Sequence, residues 1–319
     1  MTQEIEQYLN RFPMAHTYSI VARDPKTGEM GVAVQSHWFS VGSVVPWAEA
    51  GIGVVATQAM ADVSYGPNGL SAMAVNLDVD CALKTLLEAD ENHKVRQVAM
   101  INSRGSIGVY TGSRCIPEAG HIKGDQFSVQ ANMMLKNTVW KAMAEAYEKS
   151  AGSPLADRMM LALEAAQAEE GDIRGMQSAA MVIVGGEQTE QPWKQKSLEL
   201  RVEDHKSPLA ELKRLIKVHT AYELMNKGDE LLSEGMTESA FESYNQAAML
   251  APEMDELPFW QAATMADLGH VDKALPIFKK VFETNPNWAL LLQRLPKVGL
   301  FKDDPALMQQ ILQMAPKKK

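Results

Sequence analysis

Between His16 and Gly69 the residue pattern is that of strands, and this stretch limits the possible folds more than any other part of the chain. Thr17-Tyr18-Ser19-Ile20-Val21-Ala22 is short and β-favouring, Asp24 to Gly28 is dense in turn residues, and Gly31 to Ser36 is again extended in character. Together they predict a hairpin with a loop of about five residues. Val41 to Val45 and Gly51 to Thr57 predict a second pair, interrupted by Pro46. Apolar runs without clean alternation belong to strands covered on both faces. Thr17, Ser19, Gln35, Ser36, Thr57 and Gln58 fall at or near strand ends, where a sheet can present chemistry.

Downstream, Tyr65-Gly66-Pro67-Asn68-Gly69 is turn chemistry and Leu70 to Ala89 predicts one helix, with Cys81 packed in it as a small hydrophobe. Val95 to Ile101 and Ser106 to Thr111 predict a hairpin, Gly112 to Asp125 a loop, and Phe127 to Asn132 a strand. Helices are predicted from Thr138 to Lys149 and from Ser153-Pro154 to about Glu170, then strands at Gln177 to Val184 and Leu198 to Val202. Strands, two helices and strands again describe an α+β layered domain over residues 16–207, behind a polar leader of residues 1–15. The order is not alternating βαβ, which excludes a doubly wound nucleotide fold.

From Pro208 to the end at residue 319 the pattern is helical and an internal repeat appears. Gly235, Ala240, Tyr244, Ala247 and Pro252 recur 34 residues later as Gly269, Ala274, Phe278, Val281 and Pro286. Small residues where helices touch, with Pro closing each unit at that period, are the tetratricopeptide signature. A third, incomplete unit or a cap runs over Trp288 to Leu300 and Pro305 to Met314.

Composition narrows function mostly by exclusion. A net charge of −9, with Lys317-Lys318-Lys319 as the only dense basic run, argues against nucleic acid as a partner. Two cysteines provide no disulfide framework, early acidic residues replace a signal sequence, and no long uninterrupted apolar window exists. A cytoplasmic protein without a membrane segment is expected. Walker, Gly-x-Ser-x-Gly, His-Glu-x-x-His and Cys-x-x-Cys motifs are absent, and the seven histidines lack metal-ligand spacing. No metal or cofactor is therefore expected.

What remains is a hydroxyl at the start of the first strand. An N-terminal nucleophile hydrolase uses a Thr, Ser or Cys whose own α-amine, with a pKa of about 8, serves as base. Thr17 is the candidate nucleophile and Ser19, on the same strand face, the fallback. Backbone in Thr57-Gln58-Ala59-Met60 would supply the oxyanion hole. Gln35, Ser36, Gln58, Tyr65, Gln130 and Asn132 are candidate substrate contacts, the amides because they can orient a substrate amide. Cys115 has Arg114 beside it to lower its pKa but reads better as a loop residue, and Arg174 reads as the ion-pair partner of Asp172.

His16 to Asp24, Gly31 to Ser36, Val41 to Ala48, Ala56-Thr57-Gln58 and Ser64-Tyr65-Gly66 resemble a bacterial family, domain of unknown function 1028. Gly112 to Cys115, Ala119-Gly120, Phe127 to Asn132, Gly171 to Ala180 and Leu200 to His205 extend the resemblance to about residue 215. The family's place in the Ntn-hydrolase superfamily implies a four-layer αββα sandwich, hydrolysis of a small amide or peptide-like bond, and a homo-oligomer. Two departures stand out. Proteasome-like members carry an Asp and a Lys where this chain has Gln35 or Ser36 and Pro46-Trp47, and Thr17 is internal, so a free amine requires cleavage after His16. Two rival readings follow: an amidase with an internal nucleophile and bound water, and a non-catalytic binding or scaffold protein whose helical repeats recruit a protein or peptide.

Overall fold

A computed structural model describes residues 14–316, and the leader expected over residues 1–15 lies outside the described residues except for Met14 and Ala15. The chain divides into two compact units, Met1–Leu215 and Ile216–Lys319. The fold is mixed α and β, with two antiparallel sheets in the first unit. Among the described residues no helix is long and apolar enough to cross a membrane.

In chain order the first unit contains β1 (Met14–Ala15), β2 (Thr17–Arg23), β3 (Met30–Ser36), β4 (Pro46–Glu49), β5 (Gly53–Met60), α1 (Tyr65–Ala74) and α2 (Val79–Ala89). There follow β6 (Arg96–Asn102), β7 (Ile107–Thr111), β8 (Gly120–Gly124), β9 (Phe127–Ala131), α3 (Val139–Lys149), α4 (Leu155–Ala168), β10 (Ser178–Val184) and β11 (Lys196–Val202). One sheet has the order β1-β5-β6-β7 with β4 also beside β5; the other runs β11-β10-β3-β2-β9-β8.

Strand alternation decides what each sheet faces. Val21, Val32, Val34 and Val182 of the second sheet share one apolar cluster with Val54, Ala56, Ala99 and Ile101 of the first, so the sheets pack face to face. The intervening residues point outward. Val55, Val98 and Met100 pack with Leu70, Met73 and Leu83 of α1 and α2. Behind the second sheet, Gly31 lies under Met159 of α4, and the Phe127 ring sits 4.6 Å from that of Tyr147 on α3. Towards one end of the facing sheets the inward residues change from Val and Ala to Thr17, Ser19, Ser36, Gln58, Gln97, Gln130 and Asn132, all fully buried.

The β2/β3 and β6/β7 hairpins form where the sequence predicts them. Four elements differ, the first being Tyr65 to Gly69, expected as a turn and found as the first half of α1. Val41–Ser43 is a single 3-10 turn, and the strand that pairs with β5 starts at Pro46, an opening position where a missing N–H is tolerated. The helix expected over Leu70 to Ala89 is two helices, broken at Asn76 (φ 60°) and restarted by Asp78, whose carboxylate accepts from the Cys81 amide at 3.1 Å. Cys81 itself is exposed, not packed. The expected loop Gly112 to Asp125 contains β8, which owes its extended form to pairing with β9 and not to its own residues.

The helices from Pro208 onward are α5 (Pro208–Ser233), α6 (Thr237–Leu250), α7 (Glu256–Asp267), α8 (Val271–Thr284), α9 (Asn287–Leu292) and α10 (Pro305–Leu312). The positions that repeat in sequence are the core of the second unit: Ala240, Tyr244 and Ala247 on α6, and Ala274, Phe278 and Val281 on α8. Gly235 and Gly269, with φ of 81° and 93°, provide the left-handed residue that ends α5 and α7. Gly228 matters for a different reason. A Cβ there would stand 2.4 Å from Cε1 of Tyr244, and the Tyr244 hydroxyl donates to Asp229 at 2.6 Å, which holds the ring in place. Gly228→Ala is expected to cost the second unit about 1–3 kcal/mol by overpacking. The check is a lowered urea midpoint with unchanged m value for that unit's transition.

Candidate active site

The chain crosses from one sheet to the other at His16. β1 pairs with the end of β5, Met14 opposite Met60 and Ala15 opposite Ala59, and β2 begins with Thr17 opposite Ser36. The His16–Thr17 peptide is therefore held between the sheets, with Ala15, His16 and Thr17 all buried. The His16 carbonyl oxygen accepts two hydrogen bonds, from Ser36 Oγ at 2.6 Å and from Arg174 Nη2 at 2.9 Å. The Thr17 hydroxyl donates to the Ala15 carbonyl at 2.7 Å. On the other side the Thr17 carbonyl accepts from the Asn132 amide at 3.1 Å and from Gln58 Nε2 at 3.3 Å.

Arg174 is aimed by Asp172. The guanidinium binds both carboxylate oxygens, Nε to Oδ1 at 3.0 Å and Nη2 to Oδ2 at 2.7 Å, a fork geometry that fixes its plane. Asp172 is buried and also accepts from the amides of His37 and Arg174.

Behind the peptide lies a layer of amides. Ser19 Oγ donates to Gln58 Oε1 at 2.6 Å and accepts from Gln130 Nε2 at 2.6 Å. Gln97 Oε1 accepts from Gln58 Nε2 at 2.7 Å and from Asn132 Nδ2 at 2.9 Å, while Gln97 Nε2 donates to the Ala131 carbonyl at 2.8 Å. Asn132 Oδ1 is thereby left facing His16 Nδ1 at 2.8 Å, which requires the Nδ1–H tautomer of the imidazole. Burial holds the His16 pKa below its ordinary value; the Asn132 bond and Asp172 oppose this, and the Arg174 charge adds to it.

A family described as "Family of unknown function (DUF1028)" matches residues 17–212. The chain belongs to this family. The crystal structure of a Silicibacter pomeroyi protein assigned to DUF1028 aligns at 26% identity over 64% of this chain and 85% of that one, with a TM-score of 0.57. No curated protein matches.

Within the DUF1028 unit, Thr17, Ser19, Ser36, Gln58, Gln130 and Asn132 come together at this crossing, as their common strand parity requires. Gln35 and Tyr65 do not. Gln35 sits between Val34 and Ser36 on β3 and so faces the helix side, where neither amide atom finds a hydrogen-bond partner. Tyr65 is on α1, outside the first sheet, donating to Asp90 at 3.1 Å beside a cavity of about 300 Å³ also lined by Asp62 and Asn68. Donors on the His16 carbonyl come from Ser36 and Arg174, and Gln58 acts through its side chain on the next carbonyl. Cys115 is no activated thiol: burial pushes it up to about 11, and Sγ donates to the Arg96 carbonyl at 3.3 Å.

Gln97 was not singled out from sequence, although a polar residue two and four positions before the inward Ala99 and Ile101 of an apolar strand marks it. Arg174 pairs with Asp172 as expected, and its second contact, to His16, joins residues 158 positions apart. Among the described residues no group of three His, Cys, Asp or Glu is placed to hold a metal.

The DUF1028 unit should lose stability in acid through His16. Its folded pKa is depressed, so its contribution is complete above the unfolded value of about 6.5 and is lost as pH falls from there through the folded value. Between pH 8 and pH 5 the urea midpoint of the Thr17→Ala chain should fall further than that of the Thr17→Ala/His16→Gln double variant. The comparison of the two chains removes His121, which burial also depresses.

Proposed function

We propose that the DUF1028 unit is an amidohydrolase of the Ntn type that exposes Thr17 by cutting its own His16–Thr17 bond. The observation that carries this reading is the His16 carbonyl, which accepts from a hydroxyl and a guanidinium, with the hydroxyl of the next residue donating to the Ala15 carbonyl just upstream. Two donors on one carbonyl oxygen form the arrangement that stabilises a tetrahedral oxyanion. The layer order of helices, two facing sheets and helices supports the αββα assignment. Arg174 supplies the positive charge that Ser36 and Pro46-Trp47 do not, and the family match begins at Thr17.

In the first event Thr17 Oγ1 attacks the His16 carbonyl carbon, its proton leaving through a water molecule, and Ser36 and Arg174 hold the resulting oxyanion. The C–N bond breaks, the nitrogen takes a proton from water, and His16 is left as an ester on Thr17 Oγ1. Water then hydrolyses the ester, giving a His16 carboxylate and a Thr17 with free amine and hydroxyl. In later turnovers the α-amine, with a pKa of about 8, takes the hydroxyl proton, and the substrate carbonyl occupies the oxyanion site that His16 held. Ser19 is bound on both sides by Gln58 and Gln130 and serves the network, not the attack.

The second unit, with its 34-residue period, is read as a tetratricopeptide-type pair that recruits a protein or peptide partner. In the scaffold alternative the buried amide layer is structural only, and no bond is cut.

Intact mass with N-terminal sequencing tests the proposal. The wild type is expected to begin at Thr17, and Thr17→Ala to keep the His16–Thr17 bond. Ser36→Ala and Arg174→Gln should each slow the cut by about 10²–10³, the usual effect of losing one oxyanion donor. A wild type that retains the bond would leave the scaffold reading or an internal nucleophile in its place.

A further inference from the structure

The segment that would be cut away also shows what kind of substrate should follow it. β5 has two edges. β6 occupies one from Gly53 to Ala59, and the other is covered by β4 from Gly53 to Ala56 and then by β1 at Ala59 and Met60. β1 thus fills the open end of that edge as a short antiparallel strand. The place is held firmly: Arg96, fully buried, donates from Nη1 to the Met60 carbonyl at 2.6 Å and from Nε to Asp90 at 2.7 Å.

Each residue of the segment has a distinct environment. The His16 carbonyl is on Ser36 and Arg174, and His16, 3% exposed as a residue, turns its ring to Asn132 Oδ1, an acceptor whose orientation is set by Gln97. Ala15 is at 0% exposure in the cluster between the sheets, where a larger side chain would have to displace packed neighbours, whereas Met14 is 36% exposed.

Resting on the Thr17 hydrolase reading, we infer that the substrate is a peptide whose acyl side adds as a strand to β5 where Met14–His16 now lie. The residue bearing the scissile carbonyl carries a neutral side chain with a hydrogen-bond donor for Asn132, the residue before it is small, and the one before that is unrestricted. The substrate class is a peptide amide, not a small free amide. Strand addition provides affinity through the main chain, and the two buried positions provide specificity. The acyl group passes to Thr17 Oγ1 with loss of the amine, and water releases it as a carboxylate.

The experiment uses the full-length wild-type chain after incubation, its N-terminus checked by mass, with aminomethylcoumarin amides of acetyl-Met-Ala-His, acetyl-Met-Trp-His, acetyl-Met-Ala-Leu and acetyl-His as probes. Acetyl-Met-Ala-His amide should be cleaved best. Trp at the second position should lower kcat/KM by about 100-fold and Leu at the first by about tenfold or more, because a buried core position and a buried acceptor are mismatched. The truncated acetyl-His amide should lose at least about tenfold. Ala15→Trp and His16→Leu within the chain should slow self-cleavage in the same order. If the chain begins at Thr17 but cleaves acetyl-His amide or the Trp peptide as fast as acetyl-Met-Ala-His, the strand-bound substrate is overturned and the hydrolase reading stands. If the chain stays uncut and no amide is turned over, both fall.

Discussion

The architecture of the first unit depends on burying side-chain amides between two sheets without leaving any of them unpaired. An amide taken out of water without a partner costs on the order of 1–3 kcal/mol, and more where several share a site. Ser19, Gln58, Gln97, Gln130 and Asn132 avoid that cost by bonding one another and the backbone of β2 and β9. Such a set has few alternative arrangements. It fixes the register of β2 against β5 and β6 at one end of the unit, while the Val and Ala cluster fills the rest of the space between the sheets.

That rigidity matters most for the link between β1 and β2. Two strands of different sheets joined by one residue place a peptide bond where backbone is rarely found, in the space between the facing sheets. The His16 carbonyl must then be satisfied by side chains, and the Thr17 carbonyl by side chains together with the Asn132 backbone amide. Gln58 and Asn132 provide this for Thr17, and Ser36 and Arg174 for His16. Donors that satisfy a carbonyl in the ground state also polarise it, and a guanidinium does so most strongly. Asp172 balances the Arg174 charge and directs it, so that one ion pair has both a structural and a chemical consequence.

Much of this was legible in sequence, for identifiable reasons. The hairpin of β2 and β3, the helices of the first unit after Thr138 and the 34-residue repeat are carried by local signals: turn residues, a proline at a helix start, and small residues at fixed spacing. Thr17, Ser19, Gln58, Gln130 and Asn132 could be named because polar residues at strand ends are conspicuous. Their partners could not. The Arg174 bond to His16 and the Gln97 bonds to Asn132 and Gln58 span 158, 35 and 39 residues and follow only from the packing of one sheet on the other. Gln35 and Tyr65 were grouped with the site because proximity in sequence does not reveal which face of a strand or which side of a sheet a residue takes. β8 was hidden because its strand form is imposed by β9.

The central claim is that the folded chain itself cuts the bond it holds in this way. The most direct measurement is the time course of His16–Thr17 cleavage after refolding from urea, followed by mass at two protein concentrations tenfold apart. Self-cleavage by the folded chain gives a first-order rate that does not change with concentration and a bond that stays whole while the chain is kept unfolded. A rate that rises with concentration, or cleavage that continues in urea, would show that another molecule makes the cut and would contradict it.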